Sequence, residues 1–367
     1  MKRYLALLVL FAAVLFASIV AAHWRTASGH TTHPGAANSP LGPGPVMHIT
    51  PPLGLPPLPV PADNPVTAAK VALGRKLFFD ARLSADGAVS CASCHHPLQS
   101  FSDPRPVSLG VGGHPGDRNA PSVLNAAYSP LLFWDGRASG LENQSAAPIA
   151  NPIEMDLPHA AAVARLRQDA NYRREFQDAF GAGPIDFAQV EMAIASYERT
   201  LVSGDSPFDR YEYGGDKKAL SPAAIRGLAV FENPNQGNCA SCHTIGPRYA
   251  LFTDGKFHNT GEGVDDQGNL VDLGRYDVTK IDSDKGAFKT PDLRDVAQTA
   301  PYMHDGKLKT LADVVAFYAG QGNSNPYLDQ NMKRIHLSGR DRADLVEFLK
   351  SLTGEPPAST GQARVGQ

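Results

Sequence analysis

The sequence predicts a mostly α-helical protein built from two consecutive domains of similar layout, each with long loops. Three observations lead to this prediction. Apolar residues recur at helical spacing in several segments, no segment shows a reliable strand pattern, and the string C-A-S-C-H occurs twice, at 91–95 and 239–243. Each copy follows a predicted capped helix and precedes a long loop and a closing helix, so the two halves are laid out as a tandem pair.

The first residues, 1–22, are expected to be a signal peptide or an N-terminal anchor. Lys2 and Arg3 precede an uncharged stretch, 4–22, that ends in the small residues of a cleavage site. The stretch is also long enough to span a bilayer, so cleavage and anchoring to the inner membrane both remain open. In either case the working part of the chain is expected in the periplasm.

Residues 23–63 are rich in Pro and Gly and show little periodicity, which predicts an extended tether or a loose wrap. The first domain is expected over 64–210. Its first helix is predicted from Pro65 to Phe79, with Asn64 as the N-cap and Pro65 at the first position. Helical periodicity returns near 159–180 and is strongest near 187–202.

The second domain is expected over 211–354, after the segment Ser203–Gly215 breaks the helical pattern. Ser221 is predicted to cap a helix whose first residue is Pro222 and which leads into the second C-A-S-C-H string. Two more helices are predicted at 310–319 and 340–352. The tail, 355–367, is predicted to be disordered.

Composition excludes some classes of partner. The chain has 367 residues, of which 42% are hydrophobic, enough for two modest cores or for one large core around a cofactor. Lys and Arg number 34 against 37 Asp and Glu, so the formal net charge is −3. Without a basic surplus, we expect no nucleic-acid partner.

The four cysteines decide the chemistry. Cys91, Cys94, Cys239 and Cys242 form two C-x-x-C pairs, and each pair is followed at once by a histidine, His95 or His243. This spacing lets two thiols attach a haem while the neighbouring imidazole ligates its iron. Zinc sites have much closer pairs, and two disulfides would leave both histidines unexplained. The sequence therefore predicts two covalently attached c-type haems, held by tandem cytochrome c-type domains.

Further motifs carry a resemblance to a known family. They are Phe133-Trp134-Asp135-Gly136-Arg137, then Gln144, then Glu154-Met155, and later Thr290–Arg294 and Thr299–Gly306. Over roughly 60–352 the chain resembles the bacterial dihaem cytochrome c peroxidase/MauG family. The resemblance implies that His95 serves the haem that reacts with peroxide and that His243 serves a six-coordinate electron-transfer haem.

The resemblance also implies the roles of four other side chains. Trp134 matches the tryptophan between the two haems, and Gln144 and Glu154 match the glutamine and glutamate above the peroxide-reacting haem. Proton transfer between peroxide oxygens suits a carboxylate, and a glutamine can orient peroxide or water. His114 lies in the loop where classical peroxidases carry a histidine that blocks this iron, but the loop here is shorter. The preferred interpretation is a plain loop residue, and the alternative is a displaceable ligand or an acid of the peroxide pocket.

Calcium and the second distal ligand follow from the same resemblance. The calcium ion between the domains would be bound by oxygens that match Asn119, Thr299 and Pro301. The distal ligand of the His243 haem is methionine in some members and tyrosine in MauG and its relatives. The matching position here is Tyr318, with Met303 and Met332 as the alternatives. A phenolate ligand stabilises oxidised iron, so this haem is expected to have a low potential.

The function predicted from these residues is a peroxidase that reduces hydrogen peroxide to water through a high-valent haem pair. Its electrons are expected from a small periplasmic cytochrome or cupredoxin. One alternative is a MauG-like oxidase that modifies residues of a partner protein, although the stretch before the second motif, 233–238, lacks the aromatic residue that MauG has there. The other is a dihaem electron carrier without enzymatic activity. The resemblance also allows a homodimer.

Overall fold

The computed structural model describes residues 44–265 and 267–355, and over these residues the regular structure is mainly helical. The helices of the first half are α1 (Ala68–Phe79), α2 (Gly140–Ala150), α3 (His159–Gln168), α4 (Ala170–Phe180) and α5 (Phe187–Glu198). Those of the second half are α6 (Pro207–Glu212), α7 (Pro222–Glu232), α8 (Tyr276–Thr279), α9 (Leu311–Ala319) and α10 (Gly339–Lys350). Long loops connect many of them, but a single residue, Asp169, separates α3 from α4.

Two short antiparallel sheets accompany the helices. In the first half β1 (Leu131–Leu132) pairs with β2 (Ala138–Ser139), and in the second half β3 (Phe257–His258) pairs with β4 (Phe288–Lys289). Each strand has two residues, which is too short for an alternating pattern to show in the sequence. The sequence analysis therefore did not predict these two sheets.

The first hydrophobic core forms where α1 crosses α5. Leu73 and Leu77 of α1 pack in the same cluster as Val190 and Ile194 of α5, and all four are buried. The crossing is close because α1 carries Gly74. A Cβ atom added there would lie 1.8 Å from the carbonyl oxygen of Ala193. The helix that precedes the first C-A-S-C-H string is thereby held directly against the last long helix of its half.

The second core repeats this arrangement with α7 and α10. Leu228 and Phe231 of α7 cluster with Leu345 and Phe348 of α10. Here Gly227 allows the close approach, since an added Cβ atom would lie 2.0 Å from the carbonyl oxygen of Asp344. The members of the first core end at Leu201 and those of the second begin at Phe208. Each half therefore has its own core and its own crossed pair of helices, as two tandem domains require.

Several local predictions are confirmed and others are wrong. Ser221 caps α7, with Pro222 at its first position, as predicted. At α1, however, the N-cap is Thr67, whose hydroxyl accepts a hydrogen bond from the Lys70 amide, so the prediction that Asn64 caps this helix is wrong. Asn64 is instead buried and used in tertiary contacts: its side chain accepts a hydrogen bond from the Lys70 ammonium group and donates one to Glu142.

Helix boundaries also differ where a polar residue offers a better cap. The periodic stretch 159–180 is two helices, because the Asp169 carboxylate accepts from the amides of Asn171 and Tyr172 and starts α4. Helix α2 lies in the region expected to be loop. Helix α6 lies inside the predicted break Ser203–Gly215, where Ser206 caps it and Pro207 occupies its first position.

Residues 44–63, the described part of the predicted tether, are hydrogen-bonded to both halves. The Pro56 carbonyl accepts from the Tyr128 hydroxyl, and the Gly54 carbonyl accepts from the Ala250 amide and from Arg294. The predicted signal or anchor, the tether residues before 44 and the tail after 355 lie outside the described residues. Among the described helices, none combines the length and the apolar character needed to cross a membrane.

Two candidate haem sites

The first C-A-S-C-H string folds into a tight turn that presents His95. Cys91–Ser93 form a single 3-10 turn, and the His95 amide donates to the Cys91 carbonyl at 2.9 Å. The imidazole Nδ1 atom of His95 lies 3.0 Å from the Pro121 carbonyl oxygen and 3.2 Å from that of Phe101. Carbonyls only accept hydrogen bonds, so Nδ1 carries the proton and Nε2 keeps a free lone pair. Burial lowers the pKa of His95, which favours the neutral imidazole that binds metals.

The second string is built in the same way. Cys239–Ser241 form the 3-10 turn, and the His243 Nδ1 atom donates to the Phe252 carbonyl oxygen at 2.7 Å. Burial lowers the pKa of His243 as well. Cys239, Cys242 and His243 line a cavity of about 570 Å³ that reaches the contact between the halves. The cavity places the two thiols and one ligating imidazole around the same space.

This donor set fits covalently attached haems. All four cysteines are free thiols, so none is consumed by a disulfide. Each pair of thiols comes with a histidine whose Nε2 atom is available and whose ring is oriented by a backbone carbonyl, the arrangement that metal-ligating histidines generally have. Thioether bonds to the haem vinyl groups and a histidine–iron bond are therefore accommodated at both strings.

Three candidate distal ligands of the second haem reach the same cavity. Tyr318 of α9, Met303 of the Thr299–Gly306 loop and Met332 all line it. Burial, and then the negative charges of the neighbouring thiols when ionised, raise the pKa of the Tyr318 phenol above its usual value. Among the residues that the structure describes, the phenol oxygen has no hydrogen-bond partner. The Tyr318 phenol is therefore free to act as a ligand of a haem iron in the cavity. The choice between Tyr318 and the two methionines rests on the family resemblance.

Glu154 lies beside the first string, in the loop that follows α2. Its Oε1 atom accepts a hydrogen bond of 2.7 Å from the Asn151 side-chain amide. Burial raises the pKa of Glu154, and the hydrogen bond from Asn151 opposes this shift. Burial and then nearby negative charges, that of Glu154 among them, raise the pKa of the Cys91 and Cys94 thiols. The Glu154 carboxylate is therefore close enough to both thiols for its charge to act on them.

The other two predicted residues of the peroxide pocket differ in exposure. Gln144 is half-buried on α2, and within 44–265 and 267–355 its side-chain amide has no hydrogen-bond partner. His114 is exposed at the end of the loop Val111–Gly113, whose first amide donates to the Glu154 carbonyl at 2.8 Å. The loop is thus tied to Glu154, but the His114 side chain faces solvent in this structure.

Trp134 connects the two halves. Its carbonyl oxygen accepts a hydrogen bond from the Lys289 amide at 2.8 Å, and its ring packs edge-on against His304, with 6.5 Å between the ring centroids. Its indole Nε1 donates to the Asn119 carbonyl oxygen at 2.9 Å. Trp134 also lines the cavity of the second haem site. These contacts place Trp134 at the junction of the two halves.

The three predicted calcium ligands lie on the wall of one cavity. Asn119, Thr299 and Pro301 all line the cavity, and a cis peptide bond joins Ala300 to Pro301. The Asn119 side-chain nitrogen donates to the carbonyls of Arg105 and Pro106, which turns the amide and fixes its oxygen. No amide of the described residues donates to the carbonyls of Thr299 or Pro301. Hard oxygen atoms of this kind are what calcium prefers.

The structure adds site residues that the sequence reasoning missed. Lys289 and Asp292 both line the cavity. Burial raises the pKa of Asp292 to about 7. Near the first string, Glu198 at the end of α5 is buried, its Oε2 atom has no partner among the described groups, and burial raises its pKa to about 8. Asp292 lies within the motif Thr290–Arg294 and Lys289 directly precedes it, which was the signal in the sequence for both residues.

His258 and His304 are the other histidines around the second site. His258 bonds to the Asp329 carboxylate through Nδ1 and to the Asp254 carboxylate through Nε2, so both nitrogens are committed. These bonds give His258 a structural role in joining the loops that carry the two carboxylates. His304 is buried and stacks on Phe288 with ring centroids 3.7 Å apart. Burial lowers its pKa to about 4, so the ring is neutral.

Comparison with known proteins gives concordant results for both halves. The model of the di-haem cytochrome c peroxidase family matches residues 68–218, and the cytochrome c model matches residues 224–353. Methylamine utilization protein MauG of Methylorubrum extorquens is 42% identical over 83% of this chain and 83% of its own. Cytochrome-c peroxidase IdrP1 of Denitromonas iodatirespirans is 39% identical over 84% of this chain and 88% of its own. A solved MauG-like protein associated with microbial copper homeostasis superposes with a TM-score of 0.75 at 37% identity, covering 83% of this chain and 95% of its own.

Proposed function

The chain belongs to the di-haem cytochrome c peroxidase/MauG family, and we propose that it is a peroxidase that reduces hydrogen peroxide to water. The overall reaction takes two electrons and two protons for each peroxide. The electrons come singly from a small redox protein, a cytochrome or a cupredoxin. Because the N-terminal residues 1–22 have the pattern of an export signal or an anchor, we place the reaction in the periplasm.

The observation that carries this proposal is the state of Glu154. Breaking the O–O bond requires a proton to move from the inner to the outer oxygen of the peroxide. A carboxylate that is held by one hydrogen bond from Asn151 and whose pKa is raised by burial can accept that proton and return it. A plain electron carrier has no use for such a group beside its haem. Gln144 on the neighbouring helix supplies an amide that can orient the peroxide.

The haem irons supply the peroxide-binding position and the electrons that O–O cleavage consumes. The protein positions them. Backbone carbonyl groups hold the neutral imidazole rings of His95 and His243 in place. Trp134 joins the halves by contacts to Lys289 and His304, which makes it the side chain best placed to couple the two haems. Asn119, Thr299 and Pro301 provide the oxygens for a calcium ion at this junction.

A MauG-like oxidase that modifies a partner protein is the second candidate. It is favoured by the 42% identity to a MauG and by the position of Tyr318 on the cavity wall. The segment before the second string counts against the same route to the surface. Residues 233–235 are exposed but none of 233–238 is aromatic, so no ring there can relay an electron from a partner protein.

The test is stopped-flow visible and near-infrared spectroscopy of the fully ferric, purified holoprotein mixed with hydrogen peroxide. We expect rapid loss of the high-spin signal of the His95 haem and a long-lived near-infrared band, without prior reduction. Addition of a reduced small c-type cytochrome should then restore the resting spectrum, with two cytochromes oxidised for each peroxide. The Glu154→Gln variant, which keeps the size of the side chain, is the matched control and should react far more slowly.

Other outcomes separate the alternatives. A reaction that starts only after one electron has been added would contradict Tyr318 as the ligand and support a methionine-ligated peroxidase. Rapid reaction with peroxide but no oxidation of small cytochromes or cupredoxins would favour the partner-modifying oxidase. If the protein ignores peroxide in both redox states, the peroxidase proposal is wrong and an electron carrier remains.

A further inference from the structure

Lys289 is a half-buried cation at the contact between the halves. It is the second residue of β4, and its amide donates to the Trp134 carbonyl of the other half at 2.8 Å. Its side chain lines the same cavity as Cys239, Cys242 and His243. The ammonium nitrogen reaches across to the first half and donates to the Ser129 hydroxyl at 3.2 Å.

The Lys289 ammonium group has no anionic partner in the part of the chain that the structure describes. The Ser129 hydroxyl is neutral, and no carboxylate of these residues forms an ion pair with Lys289. The negative charge that acts on it is that of Asp292, which faces the same cavity and is itself not paired with the lysine. Removal from water lowers the pKa of Lys289, and the nearby charge of Asp292 opposes this shift. Lysines withdrawn from water are usually paired with an anion, whereas the ammonium group of this lysine contacts only a neutral hydroxyl among the described residues.

The haem that occupies this cavity carries such counter-ions. A haem has two propionate carboxylates on the pyrrole rings that do not bear the vinyl groups. Thioether bonds from Cys239 and Cys242 fix the vinyl-bearing rings, so the propionates extend to another part of the cavity wall. We propose that Lys289 binds a propionate carboxylate of the haem attached to Cys239 and Cys242. The carboxylate-binding group is the ammonium group of this residue of β4.

Binding a propionate at Lys289 has a consequence for electron transfer. A cation beside the haem edge stabilises the reduced iron relative to the oxidised iron and raises the potential of that haem. Because the Lys289 amide also holds the Trp134 carbonyl, the same residue fixes the haem edge and the relay tryptophan relative to each other. The inference rests on the haem assignment that also underlies the proposed function, but it does not require turnover of peroxide.

The experiment is a spectroelectrochemical titration of both haems in the purified full-length holoprotein without peroxide. Lys289→Met removes the charge and keeps the length of the side chain. We expect the midpoint potential of the His243 haem to fall, the propionate bands of its resonance Raman spectrum to move, and the His95 haem to stay unchanged. Lys289→Arg retains the cation and should stay close to the wild type. Lys285→Met, which removes a lysine paired with Asp282 on the same segment, is the matched control and should change neither haem.

A further variant keeps the test decisive if Lys289→Met fails to take up its second haem. Ser129→Ala removes the one hydrogen-bond partner that the structure shows for the Lys289 ammonium group and leaves the cation for the propionate. It should load both haems and keep the wild-type potential. The opposite outcome is that Ser129→Ala loses the second haem or shows the same fall in the midpoint potential of the His243 haem as Lys289→Met. In that case the lysine acts only by joining the halves, and the proposal is wrong. It is also overturned if Lys289→Met loads both haems with unchanged potentials and Raman bands, or if only the His95 haem responds.

Discussion

The indole nitrogen of Trp134 donates a hydrogen bond of 2.9 Å to the carbonyl oxygen of Asn119. One bond thus joins the residue proposed as the electron relay to a residue proposed to bind calcium. It also assigns the oxygens of Asn119: the backbone carbonyl is used by the indole, and the side-chain oxygen is left for a cation. A calcium ion at this junction would therefore stiffen the segment that holds the tryptophan.

The first prediction concerns calcium affinity. Asn119→Ala removes the side-chain oxygen and should weaken calcium binding by about tenfold or more, which corresponds to about 1.4 kcal/mol. Thr299→Ala is the control, because Thr299 contributes its backbone carbonyl and should keep the wild-type affinity. Isothermal titration calorimetry of the chelator-treated holoprotein measures both. Equal losses in the two variants would contradict the assignment of the side-chain oxygen.

The second prediction concerns the rate of reaction with peroxide. Glu154→Gln cannot transfer the proton and should lower the bimolecular rate constant by about 10²–10⁴-fold. Since burial raises the pKa of Glu154, the ionised form that accepts the proton appears at higher pH than for an ordinary glutamate. The wild-type rate should therefore rise with pH through this raised pKa and then level off, whereas Glu154→Gln should lack that rise. Stopped-flow rates across pH measure both effects.

The third prediction uses Asn151 to move that pH profile. Its side-chain amide donates to Glu154 and lowers the pKa of the carboxyl, so Asn151→Ala should raise this pKa further. The rise in rate should then occur at higher pH, while the plateau at high pH stays near that of the wild type. A midpoint that remains where the wild type has it would show that another group controls the profile.

The fourth prediction concerns the ligand of the second haem. Tyr318→Met replaces a hard phenolate by a soft thioether and should raise the midpoint potential of the His243 haem. Met303→Leu and Met332→Leu remove the other two candidates on the cavity wall and should leave both the potential and the visible spectrum unchanged. Redox titration distinguishes them. A spectral change in either leucine variant, with none in Tyr318→Met, would transfer the ligand role to that methionine.

The fifth prediction concerns the close helix crossing of the second half. Gly227→Ala places a methyl group against the Asp344 carbonyl and should lower the free energy of unfolding by about 1–3 kcal/mol. Gly339→Ala at the start of α10 meets no atom within 4 Å and should change stability by less than about 0.5 kcal/mol. Guanidinium unfolding of the holoprotein, followed by circular dichroism, compares them. Equal stability of the two variants would mean that the crossing can open at little cost.

Local chemistry made much of the molecule predictable. Ser221 and Pro222 start α7 where expected because a cap and its helix are neighbours in the chain. The prediction that Asn64 caps α1 is wrong, because the Asn64 side-chain amide donates a hydrogen bond to Glu142, a residue 78 positions away in the chain. The segment 159–180 is periodic, yet Asp169 divides it, because its backbone is extended and its carboxylate accepts hydrogen bonds from the first amides of α4.

The sequence by itself determined the covalent chemistry: two thiols and a histidine within five residues suffice to attach and ligate a haem, and no distant residue is needed. Only the tertiary structure decided what surrounds each haem. The contact of Trp134 with Asn119, the convergence of Tyr318, Met303 and Met332 on one cavity, and the unpaired ammonium group of Lys289 all join residues far apart in the chain. Such contacts depend on how the two cores pack side by side, which is set by many small interactions that no local pattern records.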